Sequence, residues 1–165
     1  MPLRYTTPFD REPGIIAQLL EQSYAGLVEA EPELWQPEQE NWKQFDREVF
    51  SNPGTVGACC FLSWWKTEIV GFFSFDPRQK PTLGIIGHNC VLPRFRRQGF
   101  GKQQIREIIR RFKQMGIKRA MVSTSSHPFF KPAQRMYLAC GFEEVARKPW
   151  TGDVQQNMVR YEMRL

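Results

Sequence analysis

One stretch of this sequence, Thr82–Thr124, restricts the fold more than any other. It begins as an apolar strand, Thr82–Leu92, ended by Pro93, and passes through a glycine-containing loop into a long amphipathic helix. Ile105, Ile108, Ile109, Phe112 and Met115 recur at steps of three or four and form one apolar stripe. Lys102, Arg106, Arg110 and Lys113 repeat at the same spacing on another face. Gly116 stands where a helix-terminating glycine belongs, and Lys118–Thr124 then reads as a short strand. A strand–helix–strand crossover of this kind sets its two strands parallel.

The flanks read differently. Pro13–Leu27 has the helical period, with Ile15, Ile16, Leu19, Leu20 and Leu27 apolar. A Pro- and Glu-rich stretch, Glu29–Glu40, reads as a connection, and a second helix is expected over Asn41–Phe50, bearing Trp42, Phe45 and Val49. Ser51-Asn52-Pro53-Gly54 stops it. Val56–Trp65 and Glu68–Phe75 read as two strands of a hairpin turning at Lys66-Thr67. After the crossover come a short helix, Pro132–Cys140, stopped by Gly141, and two strands, Phe142–Lys148 and Gln156–Leu165. With 165 residues, 41% of them hydrophobic, the chain has the size and core of one domain, residues 1–165. That composition excludes a disordered chain, a collagen and a coiled-coil rod.

The longest mostly apolar stretch, Val56–Trp65, is half of what a bilayer requires, so no membrane partner is expected. The start, Met-Pro-Leu-Arg-Tyr-Thr-Thr-Pro, carries no apolar run after its first charge, and a cytoplasmic location is expected. Cys59, Cys60, Cys90 and Cys140 show no Cys-x-x-Cys spacing and read as reduced, mostly buried thiols. His88 and His127 lack ligand spacing to them, so no metal is expected.

The charge is concentrated. Of a net +6, the segment Arg94–Arg119 carries +9, ten Lys/Arg against Glu107 alone, and the remainder carries −3. Either this is a solvated helix face or it faces an anionic partner, whether nucleotide, nucleic acid or acidic surface. The loop Val91-Leu92-Pro93-Arg94-Phe95-Arg96-Arg97-Gln98-Gly99-Phe100-Gly101-Lys102 favours a phosphate. Its glycines let backbone N–H groups turn inward, and the helix N-terminus adds unsatisfied donors and the positive end of a dipole. A dinucleotide fingerprint would need a third glycine and a later acid, and a Walker A loop would need Gly-Lys-Ser/Thr; neither pattern is present.

Arg96-x-x-Gly99-x-Gly101 resembles the Arg/Gln-x-x-Gly-x-Gly/Ala signature of the GNAT family of N-acetyltransferases, and it sits in the frame that signature occupies. A second segment, Ala133-x-x-Met136-Tyr137-x-x-Cys140-Gly141-Phe142, is similar to the family's helix-to-strand segment downstream. The resemblance implies an α/β (α+β-like) acyltransferase fold: a central, mostly antiparallel sheet, one splayed parallel pair and flanking helices. It implies acetyl-CoA as cosubstrate. The pyrophosphate would lie on the amides of Arg97, Gln98, Gly99, Phe100, Gly101 and Lys102 after Arg96, and the pantetheine would pair with the backbone of Cys90, Val91 and Leu92. Lys102, Arg106, Lys131 and Arg135 are candidates for the 3′-phosphate. The family often has Asn where Phe130 stands, so Phe130 is expected to pack on the pantetheine.

Amide formation needs a neutral amine, stabilisation of an oxyanion and a proton for the departing thiolate. The resemblance gives the last role to Tyr137, against a plain packing role, and the oxyanion donor to a backbone N–H near Val91. The family's usual base position falls near Ile85, which cannot act as one. His88, titratable near neutral pH, is the candidate base or acceptor contact, although strand alternation points it to the face opposite Ile85. Glu29, Glu31, Glu33 or a water relay are the alternatives. Without a strong base, acceptors of lower pKa are favoured. An α-amine is about 10% neutral at pH 7, a lysine side chain less than about 0.1%. Phe9, Trp35, Trp42, Trp64 and Trp65 divide between core and an acceptor wall. The expected activity is N-acetylation of a small-molecule or peptide amine by a monomer or homodimer. The rivals are a CoA-binding sensor without catalysis and a basic nucleic-acid-binding domain.

Overall fold

Lys66 takes a left-handed φ of 56°, the chain reverses there, and the expected hairpin forms. Its strands are β2 (Cys60–Trp65) and β3 (Glu68–Asp76), antiparallel from Cys60↔Ser74 to Trp65↔Glu68. A short strand that the pattern did not reveal, β1 (Arg4–Thr6), pairs with β2 on its other side. The computed structural model describes all of Met1–Leu165. Its further strands are β4 (Gly84–Val91), β5 (Arg119–Ser125), β6 (Glu143–Arg147) and β7 (Met158–Arg164). They pair in the order β1-β2-β3-β4-β5-β7-β6. The crossover is parallel as expected, with Gly84↔Ala120 and Ile85↔Met121 in register between β4 and β5.

The helices correct two expectations. The helix expected over Pro13–Leu27 is two, α1 (Ile15–Ser23) and α2 (Ala25–Ala30), with Tyr24 leaving helical geometry between them. The stretch expected to connect, Glu29–Glu40, instead enters α3 (Pro32–Ser51), a helix of 20 residues. Pro32 sits in its first turn, where a missing N–H costs nothing. Pro37 forfeits only a bond to the Glu33 carbonyl near the helix start. What offsets that loss is burial: Trp35, Trp42 and Val49 recur every seven residues and are all buried. Downstream, α4 (Phe100–Gln114) and α5 (Lys131–Ala139) form where expected.

The chain divides into two compact units, Met1–Ser74 with His88–Gln104, and Phe75–Gly87 with Ile105–Leu165. In the first, α1 and α3 pack on the hairpin around Ile16, Leu20, Trp42, Leu62 and Phe72. Asp46 of α3 caps α1 from outside, its buried carboxylate accepting the N–H groups of Gly14 and Ile16 at 2.8 Å and of Ala17 at 3.0 Å. Those are donors a helix N-terminus leaves unsatisfied. In the second unit Ile105, Ile108, Phe112, Val122 and Tyr161 are buried, and Gly84 is bare because a Cβ there would meet the Phe112 ring at 2.7 Å. No helix is long and apolar enough to cross a membrane.

Candidate functional site: the loop before α4 and the helix α5

The loop leaves β4 through a 3₁₀ turn, Pro93–Phe95, and reaches α4 at Phe100. Phe95 and Phe100 are buried and meet at 6.4 Å, with Trp65 5.8 Å from Phe100, so both ends of the loop are anchored in aromatic packing. Between the anchors Arg96, Arg97, Gln98 and Gly99 are exposed. Arg97 (φ 63°) and Gly99 (φ 82°) are both left-handed. A non-glycine residue held there costs about 1–3 kcal/mol, at Arg97 as at Lys66 in the hairpin turn. Left-handed residues of this kind turn backbone N–H groups of a loop toward one side, as anion-binding loops do. The first α4 bond runs from the Gln103 N–H to the Gly99 carbonyl at 3.1 Å, so the amides of Phe100, Gly101 and Lys102 have no partner inside the helix. Lys102 and Arg106 are exposed on α4.

Arg96 is tied to backbone. Its Nε donates to the Val91 carbonyl at 3.1 Å and its guanidinium also donates to the Ser23 carbonyl at the end of α1. Cys90 is buried, its thiol near the Leu19 carbonyl at 3.7 Å, and burial pushes its pKa up to about 11, so it is no nucleophile at neutral pH. Cys60, buried as well, is pushed higher by the same cause. Leu92 is buried and its N–H donates to the Val70 carbonyl at 2.8 Å. His88 lays its ring 4.7 Å from that of Phe45 on α3. His88 is exposed, and the loss of hydration where its ring meets α3 lowers its pKa below the ordinary histidine value, against the opposing pull of Glu38 and Glu48.

Two polar or glycine positions escaped the sequence reading. Gln104 is buried on α4, its Nε2 donating to Ser63 Oγ at 2.9 Å and to the Cys90 carbonyl at 3.2 Å. Gly71 lies under the same carbonyl, where a Cβ would come within 1.9 Å of its oxygen. The aromatic candidates divide as well. Trp35 and Trp42 belong to the core. Trp64 is flanked by Arg4 and Arg11 at 5.0 and 4.9 Å, and Trp65 by Lys66 at 4.6 Å. Phe9 is partly exposed and packs edge-on to Phe50.

In the second unit a 3₁₀ turn, Pro128–Phe130, leads into α5, with His127 Nδ1 accepting the Phe129 N–H at 3.0 Å. Phe130 is half-buried, its ring 5.1 Å from Phe129. Gln134 donates to the Ser125 carbonyl at 3.1 Å, tying α5 to the end of β5. Lys131 and Arg135 are exposed, and Tyr137 is 3% exposed. Gly141 takes φ 99° and ends the helix, bringing Phe142 back against the Tyr137 ring at 6.1 Å, with Tyr161 at 5.6 Å on β7. No group of three or more His, Cys, Asp or Glu side chains is placed to hold a metal ion.

Residues 16–142 match the model of the Acetyltransferase (GNAT) family. Among solved structures, a putative GNAT acetyltransferase from Desulfovibrio desulfuricans is 14% identical, with a TM-score of 0.74 over 98% of this chain and 97% of that one. The Microcin C7 self-immunity acetyltransferase, solved with acetyl-CoA and AMP, is 16% identical, with a TM-score of 0.72 over 99% and 93%. A GNAT acetyltransferase from Elizabethkingia anophelis with acetyl-CoA bound is 22% identical, with a TM-score of 0.55 over 64% and 75%. No functionally curated protein matches the chain.

Proposed function

This chain belongs to the GNAT acetyltransferase family, and from that premise we propose that it transfers the acetyl group of acetyl-CoA to a primary amine of a small molecule or peptide. The observation that carries the reading is the loop before α4: two left-handed residues, three amides without helical partners and a segment of +9 around them. Such a cradle fits a pyrophosphate. The amides of Arg97, Gln98, Gly99, Phe100, Gly101 and Lys102 would hold it, with Arg96 acting by pinning the loop to Val91 and Ser23. Lys102 and Arg106, with Lys131 and Arg135, are the cations offered to the 3′-phosphate. The Leu92 N–H is taken by the Val70 carbonyl, so the backbone of Cys90, Val91 and Leu92 is offered to the pantetheine through the second lone pairs of its carbonyls, with Phe130 packed against it.

Acetyl-CoA supplies an activated acyl carbon; the chain's own groups manage charge and protons around it. The Val91 N–H is the proposed donor to the oxyanion, and Tyr137 the proposed acid for the thiolate. His88 is the proposed base or acceptor contact. A base must be neutral to accept a proton, and its lowered pKa keeps the imidazole neutral at pH 7. The acidic limb of a kcat–pH profile is therefore expected below the ordinary histidine value of about 6.5, and it is expected to vanish in His88→Gln. A limb unchanged by the substitution would assign the base to a glutamate or to water.

The deciding experiment is ligand-induced stabilisation. Acetyl-CoA at 100 times its Kd stabilises a binding fold by about 2.7 kcal/mol, a rise in Tm of roughly 5–10 °C for a chain of this length. Binding with turnover on a panel of polyamines, aminoglycosides, amino acids and short peptides supports the transferase. Binding with no turnover on any of them supports a CoA sensor. No shift with acetyl-CoA, together with a shift by oligonucleotides, would overturn the reading.

A further inference from the structure

Gln104 is 1% exposed on α4, four residues after buried Phe100 and four before buried Ile108. A primary amide in an apolar stripe is costly unless its hydrogen bonds are made. Here the amide nitrogen grips Ser63 Oγ and the Cys90 carbonyl. That carbonyl is not where a flat strand would leave it. In a regular antiparallel pair the carbonyls lie near the sheet plane and the Cβ atoms stand off it. A Cβ at Gly71 would nonetheless lie 1.9 Å from the Cys90 oxygen and 2.8 Å from its carbon. The Cys90 carbonyl therefore stands in space beside Gly71 that only glycine leaves open, where β3 carries Val70 as an extra residue against β2, and there Gln104 meets it.

Resting on the acetyl-transfer reading above, we infer that Gln104 is a positioning residue for the oxyanion donor: by holding the Cys90 carbonyl beside Gly71, it fixes the direction in which the Val91 N–H points. The carbonyl of Cys90 and the N–H of Val91 belong to one planar trans peptide and point opposite ways. Fixing the oxygen fixes the hydrogen. The next peptide is held too, because Arg96 Nε grips the Val91 carbonyl at 3.1 Å. With the carbonyls on both sides of Val91 held by side chains, its N–H does not have to reorient when charge develops, which is what a preorganised donor requires. A hydrogen bond on the carbonyl also polarises the N–H of the same peptide and strengthens it as a donor.

The test uses Gln104→Met, which keeps the length and volume and removes the donor, and Ser63→Ala, which loosens the same amide if the methionine variant fails to fold. In the ligand-free protein the Val91 amide nitrogen resonance is expected to move upfield and its hydrogen exchange to speed up. Acetyl-CoA affinity is expected to stay within about threefold, while kcat falls about tenfold, less than the roughly 10²–10³ for losing an oxyanion donor outright. Gln104→Glu adds a signature that packing alone does not produce. Only its protonated form can donate to the carbonyl, so activity relative to wild type should recover as pH falls. An unmoved Val91 amide with wild-type kcat in Gln104→Met overturns the inference. A wild-type protein that neither binds acetyl-CoA nor turns over overturns the acetyl-transfer reading instead, and the Val91 amide still reports whether Gln104 positions it.

Discussion

Gly99→Val is expected to weaken acetyl-CoA binding by about 100-fold or more, roughly 2.7 kcal/mol, while the chain stays folded. Two effects combine. Gly99 holds φ 82°, which a β-branched residue adopts only under strain, and relaxing it would turn the loop amides away from the anion. A side chain there would also stand between phosphate and backbone. The two can be separated, because a Cβ at position 99 meets nothing within 4 Å in the protein itself. Gly99→Asn tolerates the left-handed backbone and so keeps the loop. If Asn retains affinity and Val loses it, the backbone shape is what matters. If both lose it while melting normally, the ligand's close approach is what matters. Gly101→Val, at the second residue of α4, should act through close approach. Undiminished affinity by calorimetry in Gly99→Val and Gly101→Val would remove the cradle from this loop.

The strand–loop–helix–strand crossover was legible because its evidence is redundant: a stripe at steps of three or four, a glycine at the helix end and a proline at the strand end all agree. The parallel register of β4 with β5 bears that out. The first half of α3 was not legible, since Pro32 and Pro37 read locally as breaks. Their positions within the first two turns make them tolerable, and only the buried stripe Trp35–Trp42–Val49 reveals the helix. Asp46 hides in that stripe as a polar residue whose partners, the N–H groups of Gly14, Ile16 and Ala17, lie some thirty residues away in sequence. Gln104 carried a usable signal, a polar residue in phase with an apolar stripe, and Gly71 another, a glycine inside a strand run. Both point to one carbonyl, and no sequence pattern shows that the Cys90 oxygen lies against Gly71. The loop was legible in composition and not in conformation, because nothing in its sequence announces that Arg97 itself is left-handed.

Tyr137→Phe is expected to lower kcat by roughly 10²–10⁴, the usual scale for losing a general acid, with acetyl-CoA affinity and fold nearly unchanged. The structure explains why the two readings of this residue can be parted so cleanly. Its ring is buried between Phe142 and Tyr161, at 6.1 and 5.6 Å, and the turn at Gly141 exists to bring Phe142 there. Phenylalanine keeps all of that packing, so the stability cost is that of one hydroxyl, about 1 kcal/mol. Any large loss of rate must then come from the oxygen. Tyr161→Phe is the matched control: the same chemical change on the neighbouring buried ring, at a residue given no part in the reaction, should leave kcat near wild type. An amine that attacks a thioester without a proton for the leaving sulfur must expel a thiolate, so the loss should appear in kcat and spare the affinity for acetyl-CoA. Full turnover by Tyr137→Phe on the best acceptor of the panel would leave the residue as packing between α5 and β7, and the proton would have to come from another donor.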